Sequence, residues 1–271
     1  MSQVIYEIRN VVCSYDGTNP VLKVNHLQII GGQLVVMVGK SGAGKSTILE
    51  TLGLMNNTIL NGDITFMPKT EKHYNLSELW KDEKLLSDVR SSHMSFIFQH
   101  TNLMHNFTAY ENACIPQLIQ GEIMEIALKK VGKAMEQVGL MEVKIDAHVA
   151  ELSGGQRQRL AFVRAITPDF TVLFGDEPTG NLDENNSTEL MKVIQRALGE
   201  NNRTSIIVSH NIDLSLAFAD QIIMIVKNGG YGEILEENIF RSQNENGERK
   251  WINNVGDTIF DLKGLLHEKL K

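Results

Sequence analysis

The stretch that most constrains the fold is residues 34–47, LVVMVGKSGAGKST. Its apolar start predicts a strand buried on both faces of a sheet, and the text after it, KSTILETLGL, predicts a helix. A glycine-rich connection of this kind either makes a tight turn or turns its backbone N–H groups toward an anion. This stretch alone leaves both readings open.

Similar apolar runs recur along the chain and alternate with helical patterns. The runs are VIYEI, VNHLQII, MSFIF, TVLFGD, TSIIVSH and QIIMIVK, and turn residues DGTNP separate the first two. The helical patterns are EIMEIALKKVGKAMEQVGL, GGQRQRLAFVRAI and NSTELMKVIQRALG. This alternation predicts an α/β fold with a mostly parallel sheet.

Three segments interrupt the alternation. Residues 107–165 are mostly helical in pattern and predict an inserted helical subdomain, whereas residues 69–92 are polar and predict a surface excursion. After residue 240 the text RSQNENGERK predicts a polar, flexible connection, and TIFDLKGLLHEKLK places Ile259, Leu262, Leu266 and Leu270 near one helical face. We therefore expect a main domain over residues 1–240 and a C-terminal tail over 241–271, whose helix packs on its own domain or binds a partner.

Composition excludes several classes of protein. A net charge of −7 over 271 residues argues against nucleic acid as the main partner. The two cysteines, Cys13 and Cys114, are far apart, which predicts a reducing compartment and no disulfide framework. No apolar run approaches the roughly 18 residues of a membrane helix, and the N-terminus is too polar for a signal peptide. We expect a cytoplasmic protein that would act at a membrane only through another chain.

The spacing Gly39-x4-Gly44-Lys45-Ser46 satisfies the phosphate-binding loop pattern. Its strand-before and helix-after context favours nucleotide binding over a structural turn. Lys45 would reach the β- and γ-phosphates and Ser46 would coordinate Mg²⁺. The other predicted phosphate-binding residues are Gly39, Ser41, Gly42, Ala43, Gly44 and Thr47.

Two carboxylates end the run TVLFGDE. Asp176 and Glu177 would lie at the carboxyl edge of the sheet, where α/β proteins bind ligands. Asp176 is the predicted Mg²⁺ ligand, and Glu177 is the predicted base that deprotonates an attacking water. The alternative is a solvated acidic turn before Pro178, and the phosphate loop makes that reading less favourable.

The sequence LSGGQ, residues 152–156, resembles the signature motif of ABC-type ATPases. A hydroxyl and glycine amides at a helix start make a second anion-binding surface. The resemblance implies that this surface closes on ATP held by a second subunit. The residues that it assigns to that contact are Ser153, Gly154, Gly155 and Gln156.

The resemblance covers roughly residues 4–240, and further motifs follow in the family's order. Gln99 matches the glutamine that contacts Mg²⁺ and the attacking water, and residues 181–183, NLD, match the loop that crosses the dimer interface through Asp183. His210 matches the switch histidine, although a histidine after a strand is commonly a structural cap. Tyr15 matches the aromatic residue that stacks on adenine, or is an ordinary strand-end aromatic.

The resemblance implies a fold, an activity and partners. The fold is a P-loop NTPase core with an N-terminal antiparallel β-subdomain and an inserted α-helical signature subdomain. The activity is ATP hydrolysis with ATP and Mg²⁺ as cofactors, in a dimer of cassettes, in the simplest case two identical copies, that drives a separate membrane subunit. The chain would then lie peripherally at the inner face of the cell membrane and bind no nucleic acid.

The sequence segments FIFQHTNLMHNFTAYENACIP and GDEPTGNLD resemble those of the family branch that includes the lipoprotein-releasing and macrolide-export ATPases. Leu103, Met104 and Phe107 would contact the membrane subunit or pack internally. Gly175 and the bulky text AFVRAI depart from the usual family pattern. Three alternatives remain, namely an importer ATPase, a soluble non-transport ABC ATPase, and a regulatory subunit without turnover, against which Glu177 and His210 argue.

Overall fold

The computed structural model describes residues 3–68, 72–180, 182–199, 202–245 and 248–270. At its centre, β3 (Leu34–Gly39) lies parallel between β8 (Thr204–Val208) and β9 (Gln221–Asn228). Strands β7 (Val172–Asp176) and β6 (Met94–Ile97) extend the parallel region beyond β8. Parallel strands end at the same edge, so the carboxyl ends of β3, β6, β7 and β8 share one edge of the sheet.

An antiparallel region carries the N-terminal strands. Strand β1 (Val4–Cys13) pairs with both β2 (Leu22–Ile30) and β4 (Ile59–Phe66), and β4 pairs with β5 (Tyr74–Asn75). Strand β10 (Tyr231–Ile234) runs parallel to β2 and antiparallel to β9, which joins the two regions into one sheet. This mixed sheet confirms the predicted α/β class with its antiparallel N-terminal part.

Strand β3 alternates between two hydrophobic cores. Val36 and Val38 face the cluster shared with the helical subdomain, and Val35 and Met37 face the cluster shared with the N-terminal strands. The period of two is the expected geometry of a strand buried on both faces. Burying both faces fixes the register of β3 and therefore the position of the loop that follows it.

The helices cover both faces of the sheet. Helix α1 (Lys45–Leu52) follows β3, α7 (Glu184–Gly199) follows β7, and α8 (Ile212–Phe218) follows β8. The predicted helical insertion contains α4 (Ala109–Ile119), α5 (Met124–Gln137) and α6 (Gly154–Ile166). None of the helices in the described part of the chain has the length and hydropathy of a membrane span.

The segment predicted as a surface excursion, residues 69–92, does lie at the surface where the structure describes it, but it is helical and packs on the core; residues 69–71 lie outside the described part. The segment forms α2 (Leu76–Leu79) and α3 (Glu83–His93), which bury Leu76, Leu79, Leu86 and Val89. Its polar residues partly serve as caps, because Asn75 and Asp82 accept backbone N–H groups at the two helix starts.

The flexible connection predicted after residue 240 was wrong for the described residues. Strand β11 (Ile239–Glu245) pairs with β9 and with β12 (Glu248–Asn253), and the short β13 (Thr258–Ile259) leads into α9 (Leu262–Leu270). The expected boundary at residue 240 falls inside β11. The division into residues 1–240 and 241–271 remains a prediction.

Candidate active site

The loop between β3 and α1 wraps around the ammonium group of Lys45. Gly42 and Gly44 adopt left-handed conformations, with φ of 70° and 88°, and Gly44 caps α1. The Lys45 Nζ donates to the carbonyl oxygens of Gly39 at 2.9 Å and Lys40 at 3.0 Å. The loop therefore presents a fixed cation together with the positive end of a helix, as the predicted phosphate site requires.

Two neighbouring strands support this loop at close range. A Cβ added to Gly232 on β10 would lie 1.8 Å from the Ala43 carbonyl oxygen, so only glycine fits there. A Cβ added to Gly42 would lie 3.6 Å from the Nζ of Lys227, near the end of β9. Lys227 is therefore a second cation beside the loop. Sequence reasoning missed it, and its signal is its place near the carboxyl end of β9, a strand adjacent to β3.

The predicted acidic pair faces the loop from the end of β7. The hydroxyl of Ser46 donates to Asp176 Oδ2 at 3.3 Å. Burial raises the pKa of Asp176, opposed first by the Ser46 hydrogen bond, while Glu177 and Glu50 raise it further. Burial lowers the pKa of Lys45, and the charges of Glu177 and Asp176 oppose that shift. The charges of Lys45 in the loop and of the acidic pair thus act on one another.

Glu177 has an unusual backbone conformation that aims its side chain. Its φ of 47° lies in the left-handed region, which residues with a Cβ rarely occupy. Its N–H donates to the Val208 carbonyl at 3.0 Å, which ties this residue to the end of β8. Strained backbone of this kind concentrates at functional sites, and here it directs the carboxylate toward His210.

His210 follows β8 and meets Glu177 directly. Its Nε2 lies 2.8 Å from Glu177 Oε1, so in this contact the ring donates and the carboxylate accepts. Ser209 donates its N–H to the Met37 carbonyl of β3, and the Asn211 side chain accepts the Leu214 N–H at the start of α8. Asn211, and not His210, therefore caps the helix, and the His210 side chain faces the acidic pair.

Gln99 and Tyr15 lie at the margins of this cluster. Gln99 is exposed two residues beyond β6, whose Ile97 pairs with Gly175, so it lies at the same sheet edge as Asp176. Tyr15 is 58% exposed, and its hydroxyl donates to Thr47 Oγ1 at 3.2 Å. This bond fixes the ring beside the start of α1 while leaving most of the ring accessible.

The signature residues lie apart from the loop. Ser153 caps α6: its Oγ accepts the Gln156 N–H at 3.2 Å, and Gln156 Oε1 accepts the Ser153 N–H at 2.8 Å. Gly154 and Gly155 have no atom within 4 Å of an added Cβ, so this helix start is open. No hydrogen bond or ion pair between described residues joins it to the phosphate loop. The described part of the chain therefore carries two helix starts predicted to bind anions, at Gly44 and Ser153, with no hydrogen bond or ion pair between them.

The interface-loop prediction is only partly visible, because Asn181 lies outside the described residues. Asp183 caps α7 by accepting the Asn186 N–H at 2.9 Å, and hydrogen bonds from the backbone and side chain of Asn186 lower the pKa of its carboxyl. The buried Gln158 of α6 donates to the Pro178 carbonyl at 3.0 Å. This bond links the signature helix to the acidic turn.

The predicted metal ligands offer the donors that Mg²⁺ prefers. Ser46 and Asp176 supply a hydroxyl and a carboxylate in contact, and Gln99 supplies an amide oxygen at the same edge. No group of three or more His, Cys, Asp or Glu suited to a metal occurs in the described part of the chain. Mg²⁺ commonly uses one or two carboxylates with waters and phosphates, so the donor set fits Mg²⁺ held together with a nucleotide.

The apolar residues after Gln99 are partly buried in the core and partly exposed. Leu103 is buried in the core, whereas Met104 and Phe107 are 45% and 40% exposed. The buried Asn112 side chain accepts the Met104 N–H at 2.7 Å and donates to the Met104 carbonyl at 3.0 Å. Met104 is therefore held at the surface by an ordered loop, and Leu103 packs internally.

The chain is similar in sequence to known ABC transporter proteins. The sequence model described as ABC transporter matches residues 22–180. The lipoprotein-releasing system ATP-binding protein LolD of Rickettsia prowazekii is 32% identical over 218 residues, which cover 79% of this chain and 92% of that protein. The macrolide export ATP-binding/permease protein MacB of Pasteurella multocida is 33% identical over 226 residues, covering 82% of this chain but only 33% of that protein.

The similar proteins also include the ATP-binding protein of an importer and a cassette whose dimer structures have been solved. The phosphonates import ATP-binding protein PhnC of Fusobacterium nucleatum is 30% identical, with 84% of this chain and 90% of that protein covered. A dimeric structure of the bacterial ABC transporter cassette MJ0796 superposes with a TM-score of 0.72 at 28% identity, covering 85% of this chain and 96% of that chain. A post-hydrolysis dimer of the same cassette with ADP and Pi superposes with a TM-score of 0.72 at 25% identity, covering 88% and 98%.

Proposed function

The chain belongs to the ABC transporter family as an ATP-binding subunit and ATPase, and from that premise we propose that two cassettes close around two ATP molecules to drive a separate membrane subunit. The observation that carries the proposal is the Glu177–His210 contact of 2.8 Å at the sheet edge faced by Lys45. A base, a charge-stabilising ring and a fixed cation thus surround one position for a γ-phosphate.

Each residue has a role in the proposed reaction. Glu177 accepts a proton from the attacking water at a carboxylate oxygen, and Gln99 orients that water. Lys45 and the loop N–H groups bind the β- and γ-phosphates. With nucleotide bound, His210 turns its Nε2–H from Glu177 toward the developing negative charge. Tyr15 stacks on the adenine. Mg²⁺, held by Ser46 and Asp176, would neutralise charge on the phosphates.

The signature residues act on the other subunit's nucleotide. Among the described residues their helix start has no hydrogen bond to the phosphate loop of its own chain, and in the proposed dimer it meets the nucleotide held by the other chain. Ser153 accepts an N–H at its oxygen in the capping box, which leaves its O–H free to donate to a phosphate. Gly154, Gly155 and Gln156 complete this surface, and Asp183 holds the adjoining interface loop.

Similarity to LolD and MacB supports an export-type or force-transmitting role for the transporter. The membrane subunit would dock near the exposed Met104 and Phe107, and the chain would lie on the cytoplasmic side of the cell membrane. Similarity to PhnC favours a second candidate, the ATPase of an importer. The partner cassette is in the simplest case an identical copy.

The experiment that tests the proposal is a pull-down of the tagged chain from native membranes, using Glu177→Gln to retain ATP. We expect turnover to fall by about 10²- to 10⁴-fold, because a general base contributes that much, while ATP binding persists. Recovery of an integral membrane subunit supports transport, and its architecture separates exporter from importer. Recovery of ribosomes or DNA-repair proteins without a membrane protein contradicts transport and leaves the ATPase chemistry intact.

A further inference from the structure

Helix α8 begins two residues after His210 and is too short to fix its own position. It spans Ile212–Phe218, and isolated helices of this length are not stable in water. Its last carbonyl groups lack partners within the helix, as at every helix end. Whatever binds those carbonyls therefore sets the direction of α8 and, through Asn211, the position of His210.

Arg249 of β12 binds most of these carbonyls. Its Nη1 donates to the carbonyl oxygens of Leu216 at 2.9 Å and Ala217 at 2.8 Å, and its Nη2 donates to that of Ala219. The remaining carbonyl, of Phe218, accepts Gln195 Nε2 of α7 at 3.2 Å. A guanidinium at this end also meets the negative pole of the helix dipole.

The C-terminal strands hold Arg249 in place. Its Nη2 donates to Ser242 Oγ of β11 at 3.3 Å, and its guanidinium lies 5.0 Å from the ring centre of Trp251. Trp251 and Phe240 are buried in the core beside the sheet. The Arg249 guanidinium that binds α8 is thus held by strands that belong to the main sheet, because β11 pairs directly with β9.

Helix α9 holds α8 near its start. Lys263 Nζ lies 2.5 Å from Asp213 Oδ1, and Leu262 and Leu266 are buried in the same core cluster as Trp251. His267 and Leu270 reach a cavity of about 360 Å³ that is also lined by Gly39, Lys40 and His210. The C-terminal segment, defined as residues 248–270, therefore contacts both ends of α8 and borders the phosphate loop.

We propose that the C-terminal segment positions His210 for hydrolysis, with Arg249 as the main positioning residue acting through α8. The proposal rests on the catalytic role of His210 in the proposed function. Arg249 does not touch the nucleotide; it fixes the helix whose start carries Asn211 and His210. Without these hydrogen bonds the C-terminal end of α8 keeps only the bond from Gln195, and His210 shifts from its place opposite Glu177.

The test compares Arg249→Ala with the matched control Lys250→Ala in single-turnover and steady-state ATPase assays. Lys250 is the next residue on β12, projects to the opposite side, and pairs with Glu245 at the surface. We expect Arg249→Ala to lower kcat by about ten- to a hundredfold with little change in KM, since misplacing a reacting group by about 1 Å can cost 10²-fold. Lys250→Ala should behave as the wild type.

A double-mutant cycle separates positioning from general destabilisation. If Arg249 acts through His210, adding Arg249→Ala to His210→Ala lowers the single-turnover rate no further. An equal fold loss in both backgrounds would overturn the proposal. Lys263→Ala, which removes only an exposed ion pair, gives a second variant that should fold, and we expect a several-fold loss of kcat that also vanishes in the His210→Ala background.

The failures of the two proposals are distinguishable. If His210→Ala retains wild-type turnover, the catalytic role of His210 is wrong and this inference falls with it. If His210→Ala loses turnover while Arg249→Ala and Lys263→Ala keep it, only the positioning role is overturned. Melting temperatures of all variants identify loss of turnover that comes from unfolding.

Discussion

Ser153 carries two functions on one hydroxyl group, and they can be separated by substitution. Its oxygen caps α6 by accepting the Gln156 N–H, and its proton is the proposed donor to the other subunit's γ-phosphate. Ser153→Asp keeps an acceptor for the cap, since aspartate is as good an N-cap as serine. It removes the O–H donor and adds a negative charge where a phosphate should bind.

We therefore predict that Ser153→Asp keeps the wild-type melting temperature and lowers ATPase activity by about 10²-fold or more, the scale of a lost charge-stabilising donor. The matched variant Ser153→Thr keeps both the acceptor and the donor and should retain most activity. Equal activity of the Asp and Thr variants would show that no phosphate meets this hydroxyl.

Asp176 is predicted to lower the stability of the nucleotide-free protein. Burial raises the pKa of its carboxyl, so the folded state binds this proton more tightly than the unfolded state. Stability therefore falls as pH rises from the unfolded pKa through the raised folded pKa, and the full penalty applies above it. Asp176→Asn removes the charge and should be the more stable protein at neutral pH, with the difference disappearing at acid pH.

The measurement is urea unfolding of both proteins between pH 4 and pH 8 without nucleotide, followed by thermal unfolding with ATP and Mg²⁺. We expect the stabilisation by ATP and Mg²⁺ to be lost in Asp176→Asn, because the carboxylate is the proposed ligand. A variant that is less stable than the wild type at neutral pH would contradict the burial argument.

At the scale of residues, the sequence predicted the groups but not their mutual arrangement. Spacing was enough to select Lys45, Ser46 and Asp176 as candidates, because the loop pattern and the strand end each lie within a short local stretch. The left-handed backbone of Glu177 and the nearness of Lys227 to Gly42 depend on contacts between strands far apart in the chain. Such contacts produce no local pattern in the sequence, so they cannot be predicted from it.

Among the elements, β10 supports the phosphate loop most closely. Gly232 brings its backbone so near to Ala43 that an added Cβ would lie 1.8 Å from the Ala43 carbonyl oxygen. Gly232→Ala must therefore move either β10 or the loop. We predict a loss of about 1–3 kcal/mol of stability, the usual cost of overpacking, together with weaker ATP binding because the loop N–H groups shift.

Gly230→Ala is the matched control for this prediction. An added Cβ at Gly230 meets no atom within 4 Å, so this variant should bind ATP like the wild type. Nucleotide affinity by calorimetry and stability by urea unfolding test both variants. Unchanged affinity in Gly232→Ala would mean that the loop does not depend on β10.

The elements that sequence analysis recovered are those with strong local patterns. The buried runs became β3, β7, β8 and β9, and the amphipathic pattern after LSGGQ became α6 over the expected residues. The helices of residues 76–93 were missed because their capping residues made the segment look polar. Strands β11 and β12 were missed because β11 gains its partner β9 only in the folded sheet, and its polar residues gave no alternation.

For the whole molecule, the separation of the two helix starts that we propose as anion-binding sites has a consequence for assembly. The phosphate loop and the signature helix start belong to one chain, yet no hydrogen bond or ion pair between described residues connects them. If a catalytic site needs both, each site must combine two chains, with the phosphate loop from one and Ser153 from the other. Defects in the two surfaces should then complement each other.

We predict that mixing Lys45→Ala with Ser153→Asp restores ATPase activity that neither variant has alone. In such a heterodimer one site combines both defects and the other combines the intact loop with the intact signature. Random pairing makes half of the dimers mixed, so about a quarter of the sites should be intact. In an equal mixture of the wild type with Lys45→Ala, wild-type dimers alone supply about a quarter of the full activity, so activity near one half shows that one intact site is enough for turnover. That result without restoration in the variant mixture would mean that loop and signature act within one chain, and the proposed dimer would be wrong.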